Sequence, residues 1–413
     1  MPVTAPEQAA IIDRVVELLR DNYVFPEKAN VIERELRKNI REGIYSSTLL
    51  LNAFLEHLNA DLQRASGDKH LKINNNSRIV ERIRREAEGK KEIPKGFLEL
   101  LHRENFRLRK VEMLEGNIGY FKFDNFVELQ FVREALRGAM DFLHESDAII
   151  LDLTDNGGGA SETSDYLVSY FLRDSTTVGE WWVRKTGETT LSVTKHLPEV
   201  RQMLEVPLYI LVGGQTASAA EGVAYTLQQF KRAVVIGEQS KGLGNPGELF
   251  PIDDRLFTMI PTILNKNSVT GTNWDGMGVT PDIKVEPAKA LTRARVEALR
   301  RLAAMNSDGK EKFRYEFLAQ GYESLLSIQK VPPGFGQACT GNYEGGRMVV
   351  SKDGALYFIL GNIERKLSYM DDLTFLVEGR TDYHLRFPLH NGEVNHFEVL
   401  WFDDTMDKYR KLK

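Results

Sequence analysis

The sequence predicts an α/β protein with an amino-terminal helical domain and a small carboxy-terminal antiparallel β domain, and three observations carry that expectation. Three stretches before residue 66 place apolar side chains at helical spacing. Between residues 105 and 237, strand-like apolar runs alternate with helical segments, the order that a parallel sheet requires. Beyond VPPGFGQACTGNYEGG, rich in proline and glycine, the residues alternate and carry hairpin signals at Asp353-Gly354 and Asn391-Gly392.

The first helix carries Ile11, Val15, Leu18 and Leu19 on one face, and Pro26 closes it before a second helix over 27–44. A third, over 48–65, aligns Leu50, Phe54, Leu58 and Leu62 and stops at Gly67. These make a helical domain over 1–75, ending in SGDKHLKI. A charged helix over 79–88 and KKEIPKG read as a linker or flap within 76–104. The core, 105–330, opens with the strands NFRLRKVEML and GNIGYFKFDNF, a helix over 129–145 and the buried strand AIILDL. Further strands lie over 208–212 and 233–237, hairpin segments follow, and helices over 288–304 and 311–327 end the core. The remainder, 331–413, reads as an antiparallel barrel or sandwich without a cluster of catalytic residue types.

Composition narrows the function. With 54 basic and 59 acidic residues the chain has no basic surplus to track phosphates, which argues against nucleic acid. Cys339 is the single cysteine, so an intrachain disulfide and a multi-cysteine metal site are excluded. No apolar run is long enough to span a bilayer, and MPVTAPEQAA lacks the features of an export signal. The compartment stays open between cytoplasmic and, if a signal was trimmed, periplasmic or secreted.

Chemistry concentrates in four places. Ser218 stands between the strand LYILV and a helix whose Ala219, Ala220, Val223, Ala224 and Leu227 form a small-residue face. There its hydroxyl meets the N–H groups of a helix start, where negative charge is stabilised, although a plain helix cap is the commoner use of such a serine. Gly157, Gly158 and Gly159 follow the strand AIILDL, and a loop of this kind can expose N–H groups to a ligand. A simple turn is the alternative; the lysine and hydroxyl of a phosphate-binding loop are missing, and dinucleotide spacing is absent. Asp275 sits in the polar loop NSVTGTNWDGMGVTPD, and Trp181 and Trp182 beside Arg184 could line a groove or simply pack. His70 differs from the other histidines by its place in a turn between helix and strand. A nucleophile at one strand end and N–H donors at another are what acyl transfer needs.

ILDLTDNGGG and TASAAEGVAYTLQQFKRAVVIGE resemble the strand-loop and nucleophile segments of the tail-specific, or C-terminal processing, serine peptidases. The helices ending in SGDKHLKI, the strand KVEMLEGNIGY and VTGTNWDGMGVTPDI are similar to the branch that includes tricorn core protease and interphotoreceptor retinoid-binding protein. The resemblance covers about 11–286. It implies a crotonase-like, ClpP-like core, peptide-bond hydrolysis with Ser218 as nucleophile and His70 as general base, and Asp275 assisting the histidine. Gly158 and Ala219 match the backbone donors of the oxyanion hole, with Gly157, Gly159 and Trp181 assigned to substrate binding. The processing branch places its lysine base where Leu243 stands, with Lys241 two residues away, so serine/histidine is favoured and serine/lysine is the alternative. Lys69 stands where tricorn-like relatives often have a serine.

Three functions compete on these residues. The first is a serine peptidase acting on peptides or unfolded protein tails, needing no cofactor or metal, with a homo-oligomer left open. The second is a non-catalytic module binding an apolar ligand such as a retinoid or fatty acid. The third, a coenzyme-A-dependent enzyme of crotonase type, is disfavoured by a serine and histidine both suited to acyl transfer.

Overall fold

The computed structural model describes residues 2–45, 50–89, 96–327 and 329–412. At its centre lies a six-stranded sheet in the order Leu108–Leu114, Ile118–Phe123, Ala148–Asp152, Leu208–Val212, Ala233–Gly237, Ile283–Lys284. The last five are mutually parallel, and the first pairs antiparallel with its hairpin partner. Ala148–Asp152 and Leu208–Val212 are buried at every position. Successive side chains serve opposite faces. Leu151 and Ile210 pack with Leu136 and Leu227 under the helices Leu129–Leu143, Ser161–Val168 and Ala219–Gln229. Ile150 and Leu211 pack with Leu299 under Pro287–Met305 and Gly309–Ser324.

The amino-terminal helices are Ala5–Asn22, Pro26–Arg41 and Leu51–Ser66. Thr4 and Glu7 cap the first reciprocally, and Gly67 ends the third in the left-handed conformation at φ 67°. The second helix stops three residues short of the expected 44, and 46–49, at the expected start of the third, lie outside the described residues. Their shared core extends to Ile252, Leu256 and Ile260 on and beside the hairpin Gly247–Pro251/Leu256–Pro261. Ile73–Asn75 adds a third strand to that hairpin. His70, just before this strand, is therefore fastened to the core sheet system. Within 76–104, the helices Ser77–Ala87 and Phe97–Arg103 are seen, the second not anticipated; most of KKEIPKG, 90–95, lies outside the described residues.

A second small sheet, Thr189–Val193, Thr177–Val183 and Ile263–Asn267, carries the paired tryptophans. The carboxy-terminal domain is an eight-stranded antiparallel sheet from Gly341–Tyr343 to Met406–Arg410. A bridge between Tyr343 and Lys411 joins its two edges and closes it into a barrel. The barrel sits on Gly309–Ser324, where the His384 ring stacks on Phe317 at 3.9 Å. Among the described residues no helix is long and apolar enough to cross a membrane.

Candidate active site

Ser218 adopts φ 53°, ψ −119° directly before the helix Ala219–Gln229. A non-glycine residue held there stores strain, which neighbouring contacts must sustain. They do so by tying two strand-end loops together. Thr216 Oγ1 donates to Leu153 O at 2.7 Å, and Ala217 N–H donates to Asn156 O at 3.0 Å. Gly158, at φ 93°, lies so close that an added Cβ would stand 2.7 Å from Ala217 O and 2.8 Å from Ser218 Cβ. Only glycine lets the loop rest against the serine.

The N–H groups of the loop divide differently from what the resemblance implied. Gly158 N–H donates to the buried Asn156 Oδ1 at 2.9 Å and is engaged within its own loop. Gly157 N–H donates to Asp124 O at 3.1 Å, and Gly157 lies outside the wall of the pocket at Ser218. Gly159 and Ala219 do line that pocket, and neither N–H has an acceptor among the described residues.

The pocket has a volume of about 290 Å³, and Ser218, Trp181, Leu243, Gly244 and Asn265 contribute to its wall. The two tryptophans separate, as neighbours on a strand must. Trp181 faces the pocket, whereas Trp182 packs on the core of the helical domain.

Glu221 organises the serine's surroundings and was not singled out from the sequence. Fully buried one turn into the helix, it accepts Ser218 N–H at 2.7 Å and Leu243 N–H at 2.8 Å through Oε2. Its Oε1 accepts Ser240 Oγ and Gly242 N–H, each at 2.6 Å. The S-x-x-E spacing of Ser218 and Glu221, a capping-box pattern, is the sequence signal for the first contact. Nothing local signals the other three.

His70 is buried, and its Nδ1 lies 3.0 Å from Asp68 Oδ1. Asp275 Oδ1 is 3.9 Å from the same nitrogen, outside hydrogen-bond range. Asp68, not the expected Asp275, therefore orients the ring. Asp68 also accepts the Tyr23 hydroxyl at 2.8 Å through Oδ2 and His70 N–H at 2.9 Å through Oδ1. Burial alone would push Asp68 up, but the hydrogen bonds and charge of His70, joined by Tyr23, reverse this and hold it below the usual carboxylate range. Asp275 goes the other way. Burial raises its pKa, with a further push from Asp68, against the opposing hydrogen bond from Gly244 N–H, which Oδ1 accepts at 3.0 Å. Two carboxylates thus flank one ring nitrogen with their pKa values shifted in opposite directions. An aspartate two residues before the histidine in a helix-ending turn was the available signal for Asp68.

The serine and histidine groups meet through the 240–244 segment. Leu243 and Gly244 line the pocket, and Gly244 holds Asp275. Lys69 Nζ donates to Lys241 O at 2.6 Å, which engages that cation with a backbone carbonyl. Lys241 is not part of the pocket wall, whereas Leu243 is. Among the described residues no hydrogen bond joins the Ser218 hydroxyl to the His70 ring. None of their groups of His, Cys, Asp or Glu is arranged to hold a metal ion.

A strained serine at a strand-to-helix turn, beside N–H groups lacking acceptors and connected through the 240–244 segment to a carboxylate-held histidine, is similar to the arrangement of hydrolytic serine enzymes. Comparison with known proteins narrows it. The family model described as peptidase family S41 matches residues 117–285, and the N-terminal domain of peptidase S41 in eukaryotic IRBP matches 4–112. The chain belongs to peptidase family S41. The carboxy-terminal-processing protease of Bartonella bacilliformis is 30% identical over 178 residues, which cover 42% of this chain and 40% of that protein. The chloroplastic carboxyl-terminal-processing peptidase 1 of Arabidopsis thaliana is 27% identical over 186 residues, covering 45% and 37%. The chain thus spans about two-fifths of the length of these relatives. The solved photosystem II D1 C-terminal processing protease aligns at TM-score 0.43 and 12% identity, covering 68% of this chain and 93% of that one.

Proposed function

We propose that this chain is a serine peptidase cleaving peptides or protein tails through an acyl-enzyme on a crotonase/ClpP-like core. The observation that carries the reading is the strained Ser218 in a pocket where the N–H groups of Ala219 and Gly159 have no acceptor. Serine hydroxyls are weak nucleophiles until a base removes the proton, and strain is retained where function requires it.

His70 is the base. With Nδ1–H donating to the ionised Asp68, the lone pair sits on Nε2, the nitrogen able to take the Ser218 proton. As Ser218 Oγ bonds to the substrate carbonyl carbon, that proton passes to Nε2 and the carbonyl oxygen becomes an oxyanion. Ala219 N–H and Gly159 N–H are placed to receive it. Breaking the C–N bond sends the Nε2 proton to the leaving amine; water then attacks the ester, giving its proton to Nε2, and Ser218 recovers it as the acid leaves. Catalytic hydrogen bonds are commonly long without substrate, and closure of Ser218 on His70 belongs to the bound state.

The retinoid or fatty-acid reading is less well supported. The wall mixes Val168, Trp181, Leu243 and Trp274 with polar groups on Ser161, Ser164, Asp165, Asn265 and Asn267, whereas an apolar ligand wants a more uniformly apolar lining. A fluorophosphonate probe tests the peptidase reading. Labelling is expected at Ser218, lost in Ser218→Ala and strongly slowed in His70→Ala; no labelling under conditions that label a control serine peptidase would sink it.

A further inference from the structure

Directly after the glycine loop, the helix Ser161–Val168 turns one face toward Ser218. Ser161, Ser164, Asp165 and Val168, spaced i, i+3, i+4 and i+7, all line the Ser218 pocket. Asp165 is the one ionisable side chain among its described wall residues. Its carboxylate has no hydrogen-bond or ion-pair partner among the described residues, whereas its backbone carbonyl accepts Ser169 N–H at 3.1 Å and Ser169 Oγ at 2.8 Å.

The same side chain also lines a neighbouring hollow of about 250 Å³ that shares Val168, Val178 and Ser192 with the first. Asp165 thus stands at the junction of two hollows. The other charged groups of the second hollow are Arg133, Glu162 and Lys195. Arg133 is paired with Glu199 at 2.7 Å, and Glu162 Oε1 accepts Leu129 N–H at 3.1 Å. Lys195 alone offsets Asp165, without reaching ion-pair distance. Desolvation by the neighbouring walls pushes the Asp165 carboxyl up to about 6, against the weaker pull of Lys195, although the residue itself stays exposed to solvent, so it carries its charge at neutral pH and above.

A solvated carboxylate in the pocket wall with no partner among the described residues is free to pair with a cation that a ligand brings. We propose that Asp165 is a specificity-determining residue that selects substrates bearing a lysine or arginine side chain close to the scissile bond. The inference rests on the reading of Ser218 as a peptidase nucleophile and adds the class of substrate. The ammonium or guanidinium would complete the ion pair that the fold leaves open, while the flanking serines and asparagines offer polar contacts to the rest of the chain.

The test uses N-acetylated, internally quenched peptides, so that only a side chain can supply positive charge. A series identical except for lysine, arginine, norleucine or glutamate, scanned through the positions around the cut, is assayed with the whole protein. At one position lysine or arginine is expected to exceed norleucine in kcat/KM by about ten-fold or more at pH 8, the effect of one charged contact. That ratio falls toward one as pH drops below about 6 and Asp165 takes up a proton. Asp165→Asn brings the ratio near one at pH 8, Asp165→Glu restores it in part, and Asp165→Lys shifts preference to glutamate. Cleavage without a cationic preference, or a preference that survives in Asp165→Asn, overturns the inference and leaves the peptidase reading standing. If nothing is cleaved, the peptidase reading fails, and fluorescence anisotropy of labelled lysine and norleucine peptides on wild type and Asp165→Asn decides for Asp165: equal binding throughout overturns it too.

Discussion

His70 Nδ1 lies 3.0 Å from Asp68 Oδ1, a residue of its own turn, and 3.9 Å from Asp275 Oδ1 in a loop two hundred positions later in the chain. In the proposed mechanism the near carboxylate fixes the tautomer and stabilises the imidazolium that would form during proton transfer. Asp68→Asn is therefore expected to reduce kcat by about 10²- to 10⁴-fold. Asp275→Asn should lose far less. Steady-state kinetics on one peptide ranks the two, and an equal or larger loss at Asp275 would return the orienting role to it.

Glu221 joins Ser218 to the segment that reaches the histidine, and its four donors bond no other carboxylate among the described residues. Glu221→Ala leaves buried N–H and hydroxyl groups unsatisfied and is expected to cost about 3 kcal/mol or more of stability. Glu221→Gln keeps the shape but sets an amide N–H₂ against N–H donors. That variant should fold with a lower urea midpoint and lose kcat more than it raises KM. Wild-type kinetics in Glu221→Gln would mean that the clamp has no part in holding Ser218.

Asp275 gives a stability test with a definite sign. Its pKa is raised in the folded protein, chiefly by burial, so the native state holds its proton more tightly than the unfolded chain. Stability from this group therefore falls as pH rises above the ordinary carboxylate value of about 4. Asp275→Asn, which keeps an acceptor for Gly244 N–H, should raise Tm at pH 7, with the gain vanishing near pH 4. Thermal unfolding of both proteins across that range shows it; a variant less stable than wild type at pH 7 would contradict the assignment.

Close approach at Gly158 predicts a local rather than global defect. Gly158→Ala must move either Ala217 O or Ser218, and at φ 93° the alanine is strained as well. Fluorophosphonate labelling should fall by about 10²-fold or more while the far-UV circular dichroism stays native, because the added Cβ also crowds Ala219 N, and displacing one proposed oxyanion donor costs on that scale. Labelling at the wild-type rate would show that the loop does not position the serine.

What the sequence made legible follows from how local each signal is. The buried strands, the Gly67 stop and the strand-to-helix place of Ser218 depend on near neighbours, and their patterns are visible in a window of a few residues. The Glu221 clamp and the split between Gly158 and Gly159 depend on which loop folds against which. Asn156 captures the Gly158 N–H through a side chain that could equally have faced solvent. Asp68 was hidden for another reason: Asp275 also approaches His70, and which of two carboxylates bonds the ring is decided by about an ångström of backbone placement. Trp181 was readable as groove or packing, and strand alternation gave one role to each of the pair.

A buried histidine sits at the joint between the carboxy-terminal barrel and the core. His384 stacks on Phe317 of the helix Gly309–Ser324, and its Nε2 is buried without a partner among the described residues. Burial pushes its pKa down from 6.5 to about 4. Between those values the unfolded or undocked histidine binds a proton that the docked one does not, so docking is fully stable above about 6.5 and weakens as pH falls toward 4. His384→Phe fills the same space without a proton site and keeps the stack. Its urea midpoint should change less than that of wild type between pH 7 and pH 5, and protease cutting in the 329–334 segment should rise with acidity in the wild type more than in the variant. Parallel pH dependences in the two proteins would show that His384 does not govern the joint.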